Sequence, residues 1–436
     1  MAQADAVYKQ LLEWDIVKEI KCLVFDTTAS NTGHLSGAAI RLQKLLNVPI
    51  FYIACRHHVA ELMVKNPWYS IMKIDLGPEN AMFKKFSDNW NDIDKEAPIK
   101  HLEISDEALK EELISFYTDL LVKERNTKEL FIRGDYKELA ELALKLISGN
   151  LPDDENFSFK KCGARHKARF LAFGIYALKM LAFSDQEVVK VNCFSVKVME
   201  DTGKTNKKGE KITKSKLVFD DTILKNLTDL CLYMVICYIP QFMSASFGCD
   251  ATVNDLKLFR RLIQFRTVNK TLAEEALKTY NRHKWYLVPE IVMFSLFSDK
   301  VDDDEKAKMA AKLLSLPRDE DELHFGLPSF PDIDEDTTLV DLITSKSWLF
   351  FTILNLSADW LVLPPAQWKE NQEYKEAEQF VKTVKVTNDV AERGVKIASD
   401  YASILTRDSK IRQKIFQVVE KDRMENPDLS KKSLNR

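Results

Sequence analysis

The sequence predicts an α/β protein dominated by helices, with a short parallel sheet near its start and a large all-helical region after it. Three observations lead there. Two short apolar runs, "KCLVFD" at 21–26 and "IFYIA" at 50–54, are separated by a helical pattern. Only 12 Gly and 13 Pro among 436 residues leave few turn signals, which favours long helices. No later stretch carries a strand signal as good as these two.

The elements follow in order. Residues 4–20 have a helical pattern, and 21–26 read as a strand. "HLSGAAIRLQKLL" at 34–46 sets Ala38, Leu42 and Leu45 on one helical face, with Asn31 or Thr32 as its cap. Pro49 introduces the second apolar run, and 56–65 return to helical spacing. A strand–helix–strand unit implies two parallel strands buried on both faces. Strands running the same way bring their C-terminal ends, Asp26 and Cys55, to one sheet edge, where open α/β sheets place their sites. His57 and His58 open the next helix beside that edge.

Downstream the chain reads as helical. "EEALKTYNRHKWYLVPEIVMFSLF" and "DDDEKAKMAAKLLSL" are good helix candidates. "GARHKARFLAFGIYALKMLAF" is a strong one, with Phe170, Phe173, Ala177 and Met180 in helical spacing. Residues 201–216 read as a polar loop rich in lysine, and 318–337 as an acidic loop. Near the end, Ala391, Val395, Ala398, Ala402 and Leu405 form a narrow stripe, with Glu392 in the first turns. The expected division is 1–185, 186–375 for an all-helical insertion, and 376–436 for closing helices and a polar tail.

Composition is that of a globular protein, 45% hydrophobic and 30% charged. A net charge of −3 excludes a global field toward nucleic acid, so any such contact needs a local patch. Seven irregularly spaced cysteines read as reduced thiols, and the expected location is nuclear or cytoplasmic. The runs around "LCLYMVICYI" and "SWLFFTILNL" are too short to span a membrane and fit buried helices, so no membrane partner is expected.

Each chemical candidate has a plainer counterpart. Taken alone, Asp26 reads first as a turn or cap carboxylate satisfied by "TTASN", and second as a metal ligand or general base at the sheet edge. Cys55-x-x-His58 is half of a zinc spacing. Without a second close pair, no zinc is expected, and His58 reads as a structural residue or one that orients Asp26. "DTGKT" at 201 lacks the upstream Gly of a phosphate loop. Lys204, Lys207, Lys208 and Lys211 are solvated surface or phosphate contacts.

Taken together, the motifs resemble hAT-superfamily DNA transposases. "LVFDTTASNTG" is similar to the stretch around that family's second catalytic Asp. Cys55 and His58 match its Cys-x-x-His, Arg165-His166 stands where the family carries Arg-Trp, and "VAERGVKIAS" offers Glu392 for its third acid. The resemblance implies a partial RNase H-like core, a short parallel sheet interrupted by a large all-helical insertion. It also implies Mg²⁺ held by Asp26 and Glu392 if the protein is active. The family's first Asp has no counterpart before Asp26. The expectation is therefore a transposase-derived protein, truncated or domesticated, without strand-transfer activity. Its remaining partners would be DNA, another protein or a second copy. An active metal-dependent transposase or nuclease, and an unrelated helical scaffold, are the competing expectations.

Overall fold

In the computed structural model the described residues are 2–33, 37–74, 80–127, 131, 133–163, 171–207, 209–218, 221–318 and 328–387. Met1–Val386 form one compact unit and Thr387–Arg436 a second. Helices dominate the first unit.

Helix α1 (Ala2–Glu13) leads to strand β1 (Cys22–Phe25), helix α2 (Ala38–Leu46), strand β2 (Phe51–Ala54) and helix α3 (Arg56–Met72). β1 and β2 are parallel, with Cys22 opposite Phe51 and Phe25 opposite Ala54. The register continues one step further, because the Cys55 N–H donates to the Phe25 carbonyl at 2.8 Å. Asp26 and Cys55 therefore do leave the sheet at the same edge.

Two local expectations need correction. The sheet is not buried on both faces: β2 is wholly buried, while Cys22 and Val24 of β1 are exposed. Among the described residues β1 has no neighbour beyond β2, so its other edge is unpaired, and the face that carries Cys22 and Val24 is the exposed one. Nor do Asn31 and Thr32 cap α2. They belong to a separate helical turn, Ala29–Thr32, and α2 starts after Gly37. α2 ends on Asn47 in the left-handed region, φ 53°, with its N–H bonded to the Gln43 carbonyl at 2.9 Å. Asn tolerates that conformation where other non-glycine side chains clash. Ala4 and Leu11 of α1 pack with Leu42, Leu46 and Ile50 in a small satellite core.

Beyond α3 come α4 (Glu107–Thr127), α5 (Gly134–Ser148) and α6 (Leu171–Ala182). Residues 201–216 are not a loop. They lie in a hairpin of β3 (Val196–Thr205) and β4 (Lys211–Val218), paired antiparallel from Val196–Val218 out to Thr205–Lys211. The alternation that marks a strand needs one buried face. Only the root of this ribbon is buried, at Val196; beyond it both faces are exposed and the outer part is mostly polar.

Helix α7 runs Asp221–Met243, with Met234–Tyr238 as a π-helical turn inside it. At 23 residues it is long and apolar enough to cross a membrane by length and composition, contrary to the expectation that this run is too short. In this fold it is a core helix. Its Tyr233 hydroxyl donates to the Met63 carbonyl and its Val235 carbonyl accepts from Tyr117, both at 2.7 Å.

α8 (Ala251–Gln264), α9 (Lys270–Asn281), α10 (Asp303–Leu314) and α11 (Gln372–Val381) follow. The helix expected over 274–297 is broken. α9 stops at Asn281, and helical structure resumes only at Pro289, which disfavours helix in the residue before it. α10 begins as expected, with the Asp302 carboxylate capping the Glu305 N–H. The chain then returns to the sheet. Lys385 bridges antiparallel to Phe247, and the Val386 carbonyl accepts from the Arg56 N–H at 3.0 Å.

Candidate functional site

Asp26 leaves β1 at its C-terminal end and is half-buried. Its Oδ1 accepts from the Thr28 N–H at 3.0 Å, the Thr28 hydroxyl at 2.6 Å and the Asn31 amide at 2.7 Å. The small polar run after the strand is thus what holds the carboxylate. Burial alone raises its pKa, but the bonds from Thr28 and Asn31, with His58 nearby, outweigh it and hold the carboxyl below the usual carboxylate range.

The "CRHH" run sits opposite. Cys55 is buried. His57 is buried too, stacked on the Phe242 ring with centroids 4.0 Å apart, and its Nε2 lies 3.0 Å from the Phe242 carbonyl. These two positions are structural. His58 is partly open, with Nδ1 3.9 Å from Glu61 Oε2, and its charge bears on Asp26. Of the supporting pair named from sequence, His58 is therefore beside Asp26 and accessible, whereas Cys55 is packed beneath.

Between them lies Arg56, which sequence reasoning passed over. Its side chain is buried and forms a tight ion pair with Asp255 of α8. It also reaches the Ala245 carbonyl at 3.4 Å and covers the Tyr286 ring at 5.4 Å. The Tyr286 hydroxyl in turn donates to the Ala54 carbonyl at the end of β2. Arg56 locks the sheet edge to the helical region, a role no local pattern encodes.

His283 was also missed. It stands in the break after α9, and its Nδ1 accepts from Trp285 Nε1 at 3.3 Å, while Trp285 packs edge-on to Phe25 with centroids 5.8 Å apart. The usable signal was Pro289, which marks the break that brings "HKWY" back to the strands. Burial, then the nearby positive charge of His58 and Arg282, drives the His283 pKa down to about 4. The folded value lies below the ordinary 6.5, so the unfolded chain takes the proton first. This contribution to stability is complete above about pH 6.5 and is lost as pH falls toward about 4. Urea unfolding should show a loss on the order of 2–3 kcal/mol between about pH 7 and about pH 4.5 from this residue. His283→Gln, which keeps an acceptor for Trp285, should flatten that slope; an unchanged slope would remove His283 as its source.

Glu392, Arg165, His166 and Lys208 lie outside the described residues. Lys204, Lys207 and Lys211 are exposed in the outer part of the ribbon, not at the sheet edge. Among the described residues no group of three or more His, Cys, Asp or Glu side chains is arranged to hold a metal. Asp26 alone does not make a Mg²⁺ set, since such ions need several oxygen ligands at once. What the described site offers is one ionised carboxylate and one accessible imidazole at the end of a parallel strand pair.

The class this defines is a helix-dominated α/β protein with a polar site at the C-terminal edge of a two-stranded parallel sheet. Comparison with protein-family models, with curated proteins and with solved structures finds no match.

Proposed function

We propose that this is a transposase-derived protein with an RNase H-like core that has lost strand transfer and retains nucleic-acid or protein binding. The observation that carries the proposal is Asp26. It ends a parallel strand, stands opposite the Cys55 position, is held ionised and faces His58. That is the placement the hAT resemblance requires of its second acid. A long helical region follows, and the chain comes back to the Arg56 backbone at Val386, six residues before Glu392.

Titration with Mn²⁺, a spectroscopically tractable substitute for Mg²⁺, tests this directly. Weak binding is expected, lost in both Asp26→Asn and Glu392→Gln, with no cleavage of duplex DNA. Binding unaffected by both substitutions would sink the RNase H-like assignment. Cleavage abolished by both would show an active nuclease instead.

A further inference from the structure

The β3–β4 ribbon stands on a fixed root. Val196 is buried, Val198 and Val218 pack against the main core, and Lys85 Nζ donates to the Ser195 hydroxyl at 2.9 Å. The Met199 N–H reaches the Lys73 carbonyl at 3.3 Å. Past that point nearly every side chain of both strands is exposed. Eight paired positions give an arm of about 25 Å, at roughly 3.3 Å per residue. Its tip is tied by the Asn206 N–H to Glu210 carbonyl bond at 2.8 Å and the Asn206 amide to Glu210 carboxylate bond at 2.7 Å.

The arm's charge differs in sign from that of the chain. Residues 196–218 hold seven lysines against three acids, in a protein of net charge −3. Two of the acids are already engaged. Asp201 binds Lys211 at 2.8 Å and the Gly203 N–H at 2.9 Å, and Glu210 closes the tip. The register puts Lys204, Lys214 and Lys216 on one face with Glu200 and Ile212, the face whose root end carries the core-packed Val196, Val198 and Val218, and puts Lys197 and Lys211 on the other. An extended two-stranded ribbon with a cationic face has the dimensions of the DNA major groove, about 12 Å wide, which admits such a ribbon.

We propose that the ribbon is a binding arm for duplex DNA, laid along a groove with Lys204, Lys214 and Lys216 on phosphates. This rests on the nucleic-acid half of the function proposed above. It replaces a diffuse lysine loop with a defined element, a defined face and a root that fixes its direction. Contacts of this kind position the protein and carry no sequence information, so binding should be sequence-tolerant and salt-sensitive.

The test is fluorescence anisotropy with a labelled duplex of about 30 base pairs and arbitrary sequence, in EDTA, over a salt series. The full chain is compared with Lys204→Gln/Lys214→Gln/Lys216→Gln. A control carries Lys308→Gln/Lys312→Gln/Lys375→Gln, exposed positions away from the ribbon. The ribbon triple variant should bind about tenfold more weakly or worse, and its log–log salt slope should fall by roughly 2.7, about 0.9 per lost phosphate contact. The control should bind as the wild type does. All six positions are exposed, and circular dichroism checks that each variant is folded. Equal binding by both triple variants would overturn the arm while leaving DNA binding intact. A wild-type chain that does not bind the duplex would overturn the arm outright, and the Mn²⁺ titration would then decide the core assignment separately. Ribbon-dependent self-association in sedimentation, with no DNA binding, would assign the exposed ribbon to contact between copies instead.

Discussion

Arg56→Met should destabilise the unit Met1–Val386 by about 3–5 kcal/mol, the cost of leaving one member of a buried ion pair without its partner. Arg56 and Asp255 are 2% and 7% exposed at their side chains. Without the guanidinium, the Asp255 carboxylate keeps the Gln241 amide as a donor at 2.7 Å, which does not replace the lost positive charge. The Arg56 N–H to Val386 bond is backbone and survives, so the loss isolates the side chain. Adding Asp255→Leu to Arg56→Met should recover most of the stability, because removing both charges abolishes the desolvation penalty. Urea unfolding measures all three proteins. A loss below about 1 kcal/mol for the single variant would mean that water reaches the pair and that it is not the lock described above.

Trp360→Ala should cost about 3–5 kcal/mol through lost burial and a residual cavity. Trp360 is fully buried. Its ring meets Trp368 at 4.9 Å, Tyr374 at 5.0 Å, Phe297 at 5.7 Å and Phe351 at 6.0 Å between centroids. These partners come from several separate segments, so one truncation loosens all of them. Its Nε1 donates to the Ser357 carbonyl at 2.9 Å, which would be left without that donor. Trp360→Phe keeps most of the volume and should lose markedly less. Equal losses from Ala and Phe would assign the cost to the hydrogen bond rather than to packing.

The first strands and their direction were legible because wholly apolar runs of four or five residues, bounded by polar turns and a proline, leave few alternatives. Asp26 and His58 were legible for the same reason: once the strands are parallel, their ends share an edge. The ribbon was not, since strands exposed on both faces show no alternation. The break at His283 was hidden by a helical pattern that continues through it, with only Pro289 to mark it. Arg56 and Asp255 were illegible in principle. A charge at the first turn of a helix looks solvated until its distant partner is known.

That distance shapes how the chain must fold. Arg56 and Asp255 are 199 residues apart, and the Tyr286 hydroxyl closes on Ala54 across 232. During synthesis at about 5–20 residues per second, the strand–helix–strand segment emerges roughly 10–40 s before Asp255 exists. For that interval a cationic side chain destined for the interior has no counter-charge, and the sheet edge has no cover. The early segment therefore cannot reach its final state on its own, and its completion waits on loop closures of high entropic cost. Loss of the Asp255 carboxylate or of the Tyr286 hydroxyl would therefore remove support from the strands near the beginning of the chain.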